Sequence, residues 1–163
     1  MRLTIQLATA VAVAATIVPA APCLAATGAD DAREIASYVL TDAGLAQFTQ
    51  ATKKLAAVPG ACAGQGEDSV ESQSLDQMTA KLNAVPGAQA AIQSAGMTTR
   101  EYVVFMWSML HNGMAAWAAS QPGGKTPPGT LQPNVEFYKK NEAKFAALGE
   151  NDNCDKNSGE SED

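Results

Sequence analysis

The segment from Thr98 to Ala119 constrains the fold most, because it has the pattern of a long helix that needs other helices around it. Thr98 and Glu101 have the spacing of a capping box, and Met97 and Tyr102 flank it as a hydrophobic staple. At about 100° per residue, one apolar face then follows; its members are Tyr102, Phe105, Met106, Met109, Leu110, Gly113 and Trp117. Val103, Trp107 and Met114 widen this face to an arc of about 200°, which predicts a central helix.

The remaining positions of this helix predict how it is oriented. Ser108, His111 and Asn112 are expected on the opposite, polar side, which argues against a membrane span. Gly113, on the apolar face, is expected to let another helix approach closely.

Proline, glycine and capping residues divide the rest of the chain into shorter helices. Thr41 is the expected cap of a helix that runs to about Ala57 and stops at Pro59-Gly60. Three more elements are expected: a helix capped by Ser74 and Gln77 that reaches Ala84, a short one from Pro86 to Ser94, and a last one capped by Asn134 that runs from Val135 to Leu148. A Pro/Gly-rich connector covers residues 121–133, and no segment alternates as a strand would. The prediction is an all-α bundle of four to five helices.

A repeat links two of these helices. Nine residues between Gln50 and Ala61 recur 27 positions later, between Gln77 and Ala88, and both copies end in Val-Pro-Gly-Ala. This pattern indicates either a duplicated helix and turn or two similar helix ends, and two copies are too few for a solenoid.

The N-terminus has the features of a cleavable signal peptide. Arg2 precedes an uncharged run from Leu3 to Val18, and small residues follow at Ala25-Ala26. Residues 1–26 are therefore expected to be removed, with a helical domain at 27–148 and an acidic tail at 149–163. A lipoprotein anchored through Cys23 is the alternative, although Pro22 fits that motif poorly. We expect a periplasmic or secreted protein without stable membrane insertion.

The acidic charge balance of the chain argues against nucleic acids as partners. The mature chain would carry 10 basic against 17 acidic residues, and the tail alone has six acidic residues against Lys156. Without a basic stripe to neutralise phosphates, nucleic-acid binding is not expected. The tail is expected to be solvated and disordered, unless a disulfide tethers it.

Two cysteines, Cys62 and Cys154, remain after cleavage. In an oxidising compartment an even number favours a disulfide, which would close a long loop. The alternative is two separate thiols.

The edge formed by Trp107, His111 and Met114 is the candidate binding site, since it lies at the border of the apolar face. His111 is the single histidine, and no acid lies within one helical turn to orient it for catalysis. Its ordinary interpretation is a partly exposed residue beside Trp107. With Met106, Met109 and Met114 it could alternatively bind copper or haem, but methionine is common core filler.

Two further segments resemble ligand-binding loops but lack essential residues of those motifs. Gly124-Lys125-Thr126 lacks the first glycine of a phosphate loop, and Asp155–Gly159 lacks the spacing of a calcium loop. The acids lie at helix starts, in loops and in the tail, so no catalytic residue, resident metal or cofactor is expected.

The runs Gly96–Val103 and Pro133–Phe137 give the chain a resemblance to known proteins, together with Met109–Ala116, Pro127–Gly129 and Asn141-Glu142. It resembles small alanine-rich exported proteins of Gram-negative bacteria that are classed as hypothetical. The resemblance implies a helical domain in the envelope and no site residues. Taken together, the sequence favours a non-enzymatic module that binds a partner protein or a small apolar ligand; the alternative is a metal- or haem-binding envelope protein that uses His111 and methionine.

Overall fold

A computed structural model describes residues 27–61 and 73–150, and it confirms the all-α class for this part of the chain. Six helices are present: α1 (Thr27–Ser37), α2 (Asp42–Leu55), α3 (Leu75–Ala84), α4 (Ala88–Gln93), α5 (Thr99–Ser120) and α6 (Gln132–Glu150). No strand occurs among these residues. The predicted signal peptide, Cys23, Cys62, Cys154 and most of the acidic tail lie outside the described residues.

Helix starts follow the predicted capping residues in three cases. The Thr41 hydroxyl accepts a hydrogen bond from the Gly44 amide at 3.0 Å. Ser74 with Gln77 and Thr98 with Glu101 both form complete capping boxes. Such capping residues predict helix starts well because their side chains accept hydrogen bonds from backbone amides that the first turn of a helix cannot pair internally.

The sequence leaves the region of α1 open, with Tyr38–Leu40 either extended or the end of a short helix, because Ile35 is the one large aliphatic residue of α1. Tertiary contacts with α3 and α5 hold it instead. The Ile35 carbonyl accepts a hydrogen bond from Ser108 at 3.0 Å, and Asp31 accepts one from the Leu75 amide at 3.0 Å. Arg100 pairs with Glu34, and also with Asp76 of α3; these hydrogen bonds raise the pKa of Arg100.

The predicted start of the last helix was wrong by three residues. Helix α6 begins at Gln132, and Pro133 fits its first turn because amides there have no intrahelical acceptor. Asn134, expected as the cap, is buried with 1% of its surface exposed. It donates to the Tyr38 carbonyl at 2.7 Å and accepts from the Leu40 amide at 2.9 Å. It therefore joins α6 to the segment between α1 and α2.

The repeated sequence adopts a repeated turn. The Val58 amide bonds to the Leu55 carbonyl at 2.9 Å, and the Val85 amide bonds to the Leu82 carbonyl at 3.3 Å. Gly60 and Gly87 both have left-handed backbones, with φ of 78° and 88°, which favours glycine at both positions. Because Gly87 takes this conformation, α4 begins at Ala88, two residues after the predicted start at Pro86.

Helix α5 is the central element, as predicted, since it contacts each of the other five helices. Phe105 is fully buried, and its ring stacks on Phe48 of α2 with centroids 4.8 Å apart. The Phe48 ring also stacks on Tyr102, again at 4.8 Å.

Burial raises the pKa of the Tyr38 phenol, whose ring meets Phe105 edge-on, and the charge of Glu101 raises it further.

Candidate functional site

The second half of α5 exposes a strip of large apolar side chains. Leu110, Met114 and Trp117 are 47%, 56% and 68% exposed, although Leu110 and Trp117 were expected on the buried apolar face. Their spacing of four and three residues puts them on one side of the helix. An exposed apolar strip on one side of a helix makes this surface the candidate interaction site.

The expected polar side of α5 is instead buried. Ser108 and Asn112 are 0% and 1% exposed. Each finds a backbone acceptor, Ser108 on Ile35 of α1 and Asn112 on the Ser108 carbonyl at 2.7 Å. Small polar side chains that bond to backbone can occupy a core, and helices α1 and α6 pack against this side of α5. The apolar strip is left outside for that reason.

The strip forms one wall of a groove between α5 and α6. The groove has a volume of about 450 Å³ and is open to solvent along one side. Its lining is mostly apolar and comprises Met109, Leu110, Gly113, Met114, Trp117, Tyr138, Glu142, Phe145 and Ala146. Glu142 is the one ionisable carboxylate in this lining.

The floor of the groove depends on Gly113. A Cβ atom at this position would lie 2.8 Å from Cζ of Tyr138, so any side chain would displace the ring. The Tyr138 ring stacks on Phe145 with centroids 5.0 Å apart. The predicted close approach at Gly113 is therefore made by an aromatic side chain of α6.

Helix α3 shows why the groove stops where it does. Val103 and Trp107 precede Leu110 on the same side of α5, at spacings of four and three residues. Val103 is 2% exposed, and the Trp107 indole donates to Sδ of Met78 in α3 at 3.0 Å. Together with Met114 and Trp117, these residues form one seam along α5. Because α3 begins at Leu75, it covers the first half of this seam and leaves the second half open.

The three predicted site residues occupy different surroundings. Met114 lines the groove, Trp107 lies under α3, and His111 is half-buried outside the lining of the groove. Nε2 of His111 is buried and has no hydrogen-bond partner within the described part of the chain. Leu110 and Trp117, which sequence reasoning assigned to the core, belong to the surface that contains Met114. The signal that could have identified them is their continuation of the seam beyond the length of α3.

No group of three or more His, Cys, Asp or Glu side chains that could hold a metal ion occurs within residues 27–61 and 73–150. In the same residues, no helix is both long and apolar enough to cross a bilayer. The lining of the groove offers mainly apolar contacts, with one carboxylate at Glu142.

Comparisons with protein-family models, curated proteins and solved structures found no match for this chain.

Proposed function

We propose that this protein is an exported, non-enzymatic binding module whose α5–α6 groove receives an amphipathic helix of a partner protein. The observation that carries the proposal is the exposed strip of Leu110, Met114 and Trp117 beside the groove. An amphipathic helix binds such a groove through apolar side chains at i, i+3 or i+4, and i+7.

The seam on α5 favours a helical partner. Its five members are Val103, Trp107, Leu110, Met114 and Trp117, which repeat at alternating spacings of four and three residues. This is the spacing by which two helices pack side by side. Helix α3 already packs on the first part, and a partner helix placed beyond its N-terminus would continue that packing.

Size and shape favour a short segment over a large domain or a small molecule. The three exposed side chains present on the order of 300 Å². A stable interface between globular proteins needs about 800 Å² on each side, which is considerably more. Small-molecule sites enclose most of their ligand, whereas this groove is open along one side.

The location is part of the proposal and rests on the N-terminal sequence. A periplasmic or secreted protein meets partners outside the cytoplasm, and the apolar strip would be available to them after the signal peptide is removed. N-terminal sequencing of the protein recovered from the envelope fraction tests export. The first residue is expected to be Thr27.

The test is site-specific photo-crosslinking in the cells that export the protein. A benzophenone amino acid replaces Met114, and a matched control replaces Gln89, which is exposed on α4 and remote from the groove in sequence. We expect discrete adducts at position 114 only, joined to a peptide whose sequence has the apolar periodicity of an amphipathic helix. A synthetic peptide of that sequence should bind the purified protein.

Substitutions then tie this binding to the strip. Trp117→Ala is expected to weaken peptide binding about 30-fold, because exposed tryptophans are common hot spots worth about 2 kcal/mol. Gln89→Ala should leave it unchanged. Adducts to phospholipid, adducts to a second copy of the chain, or none above the Gln89 control would each contradict the proposal.

A further inference from the structure

A second groove lies between α2 and α6, and it is bordered by lysines. It has a volume of about 520 Å³ and is lined by Asp42, Leu45, Ala46, Thr49, Gln50, Lys53 and Lys144. Lys144 is held by a hydrogen bond from its Nζ to the Asn141 side chain at 2.8 Å. Asp42 already faces Lys140 at 4.0 Å. Within the described part of the chain, no carboxylate lies at ion-pair distance from Lys53 or Lys144.

The course of α6 carries the chain toward the same end of the molecule as α2. Asn134 bonds to the Leu40 amide just before α2, Lys140 faces Asp42 in its first turn, and Lys144 shares the groove with Lys53 in its last turn. The two helices therefore run in the same sense. Glu150, six residues after Lys144, ends α6 about 9 Å further along the helix axis.

The chain that follows has the opposite charge. Residues 151–163 contain five acids, Asp152, Asp155, Glu160, Glu162 and Asp163, against Lys156. An extended chain covers about 3.3 Å per residue. Three residues beyond Glu150 are thus enough to return to the level of Lys144; Asp155, five residues on, is the first acid past that point, and Asp152 lies one residue short of it.

We propose that residues 151–163 bind along the α2–α6 groove, with their carboxylates against Lys53 and Lys144. The contact is intramolecular, so the tail is present at an effective concentration in the millimolar range, which favours it over weak anionic ligands from solution. The tail then acts as an internal competitor, and an acidic partner of this groove has to displace it. This inference does not depend on the proposed role of the α5–α6 groove.

Zero-length carbodiimide crosslinking of the full exported chain, followed by peptide mass spectrometry, tests the contact. We expect amide bonds from Asp152 or Asp155 to Lys53 and Lys144 at about five times the frequency of bonds to Lys125, an exposed lysine of the connector. At about 0.5 M salt the frequencies should become equal, because the Debye length falls to a few ångströms. Equal frequencies at low salt would overturn the proposal.

Two controls separate charge from other causes. In a mixture of isotopically labelled and unlabelled protein, links found mainly between copies would overturn an intramolecular contact. The Cys154→Ser variant should still crosslink preferentially to Lys53 and Lys144. If this variant lost the preference, a disulfide, and not charge, would be what places the tail.

The reciprocal variant removes the groove charges without altering the tail. Lys53→Glu with Lys144→Glu is expected to speed cleavage after Glu160 by a glutamate-specific protease about fivefold, whereas Lys125→Glu should have no effect. Circular dichroism would verify that the double variant is folded. An unchanged cleavage rate in a folded double variant would also overturn the proposal.

Discussion

At the scale of single residues, Asn134 connects parts of the chain that are far apart in sequence. Its side chain satisfies the Tyr38 carbonyl and the Leu40 amide, and it is almost fully buried. Asn134→Ala leaves both backbone groups without this partner, so we expect a loss of about 2–4 kcal/mol in the free energy of unfolding. Urea denaturation followed by circular dichroism measures it.

The matched control for Asn134 is Gln132→Ala, two residues earlier on the same helix. Gln132 is exposed, and its one side-chain hydrogen bond, to Glu136, is long at 3.4 Å. Its replacement should change stability by less than about 0.5 kcal/mol. Equal effects of the two substitutions would contradict the structural role of Asn134.

Gly113 is the second residue for which the structure makes a quantitative prediction. Gly113→Ala places a methyl group against the Tyr138 ring, where the ideal Cβ would be 2.8 Å from Cζ. We expect a loss of about 1–3 kcal/mol, since overpacking costs more than the helix propensity gained. Differential scanning calorimetry measures the change.

The control for Gly113 is a helical glycine with open space around it. Gly28 in α1 has no atom within 4 Å of the added Cβ, so Gly28→Ala should be neutral or stabilising by up to about 1 kcal/mol. If both alanine variants were stabilised alike, Tyr138 would not be packed on Gly113 in solution.

The position of helix α3 determines where the α5–α6 groove ends. The N-terminus of α3 is stabilised by a side chain of helix α1. Asp31 of α1 accepts a hydrogen bond from the Leu75 amide, in addition to the internal capping box of Ser74 and Gln77. Asp31→Ala should cost about 1 kcal/mol, as for the loss of a capping residue. Hydrogen exchange should accelerate in α3 more than in α2.

The neighbouring residue Asp30 provides the control at this scale. Asp30 is exposed and pairs only with Arg33 of its own helix among the described residues. Asp30→Ala should therefore leave exchange in α3 unchanged. Accelerated exchange in both variants would indicate that α1 unfolds as a unit and that the Asp31 contact is not specific.

How far the sequence predicts the elements depends on whether the signal is local. Capping boxes were predicted correctly because their partners are three residues apart. Helix α1 was left open because contacts with α3 and α5 sustain it. The exposed face of α5 was also misassigned, since an apolar arc of about 200° does not say which part its neighbours cover. Ser108 can be buried because the Ile35 carbonyl of α1, 73 residues away in sequence, accepts its hydroxyl, and the sequence alone does not show this contact.

At the scale of the whole molecule, the bundle is closed on most sides of α5 and open on one. Helices α1, α2, α4 and α6 surround it, while α3 spans only ten residues against the 22 of α5. This mismatch in length leaves the second half of the seam exposed. The candidate site could therefore not be predicted from α5 alone, because it arises from where another helix begins.

The predicted disulfide joins two cysteines that lie outside the described residues, beyond the ends of α2 and α6. Both helices run toward the same end of the molecule, since Lys140 faces Asp42 and Lys144 lines the groove that extends along α2 to Lys53. Cys62 directly follows Ala61, which is buried after the turn that ends α2, and Cys154 comes four residues after Glu150. The two cysteines thus follow helices that run in the same sense, and the bond between them stays a prediction.

We therefore predict that protein recovered from an oxidising compartment contains a Cys62–Cys154 bond. Under denaturing conditions its mass should be lower by two hydrogens than that of the reduced form, and it should not react with a thiol alkylator until reduced. Cys62→Ser should lower the free energy of unfolding by about 4 kcal/mol, because the bond closes a long loop in the unfolded chain. In protein kept reduced, Cys62→Ser should change the free energy of unfolding little. This control distinguishes loss of the disulfide from a change in packing at position 62. Complete alkylation of both cysteines without reductant would contradict the predicted bond.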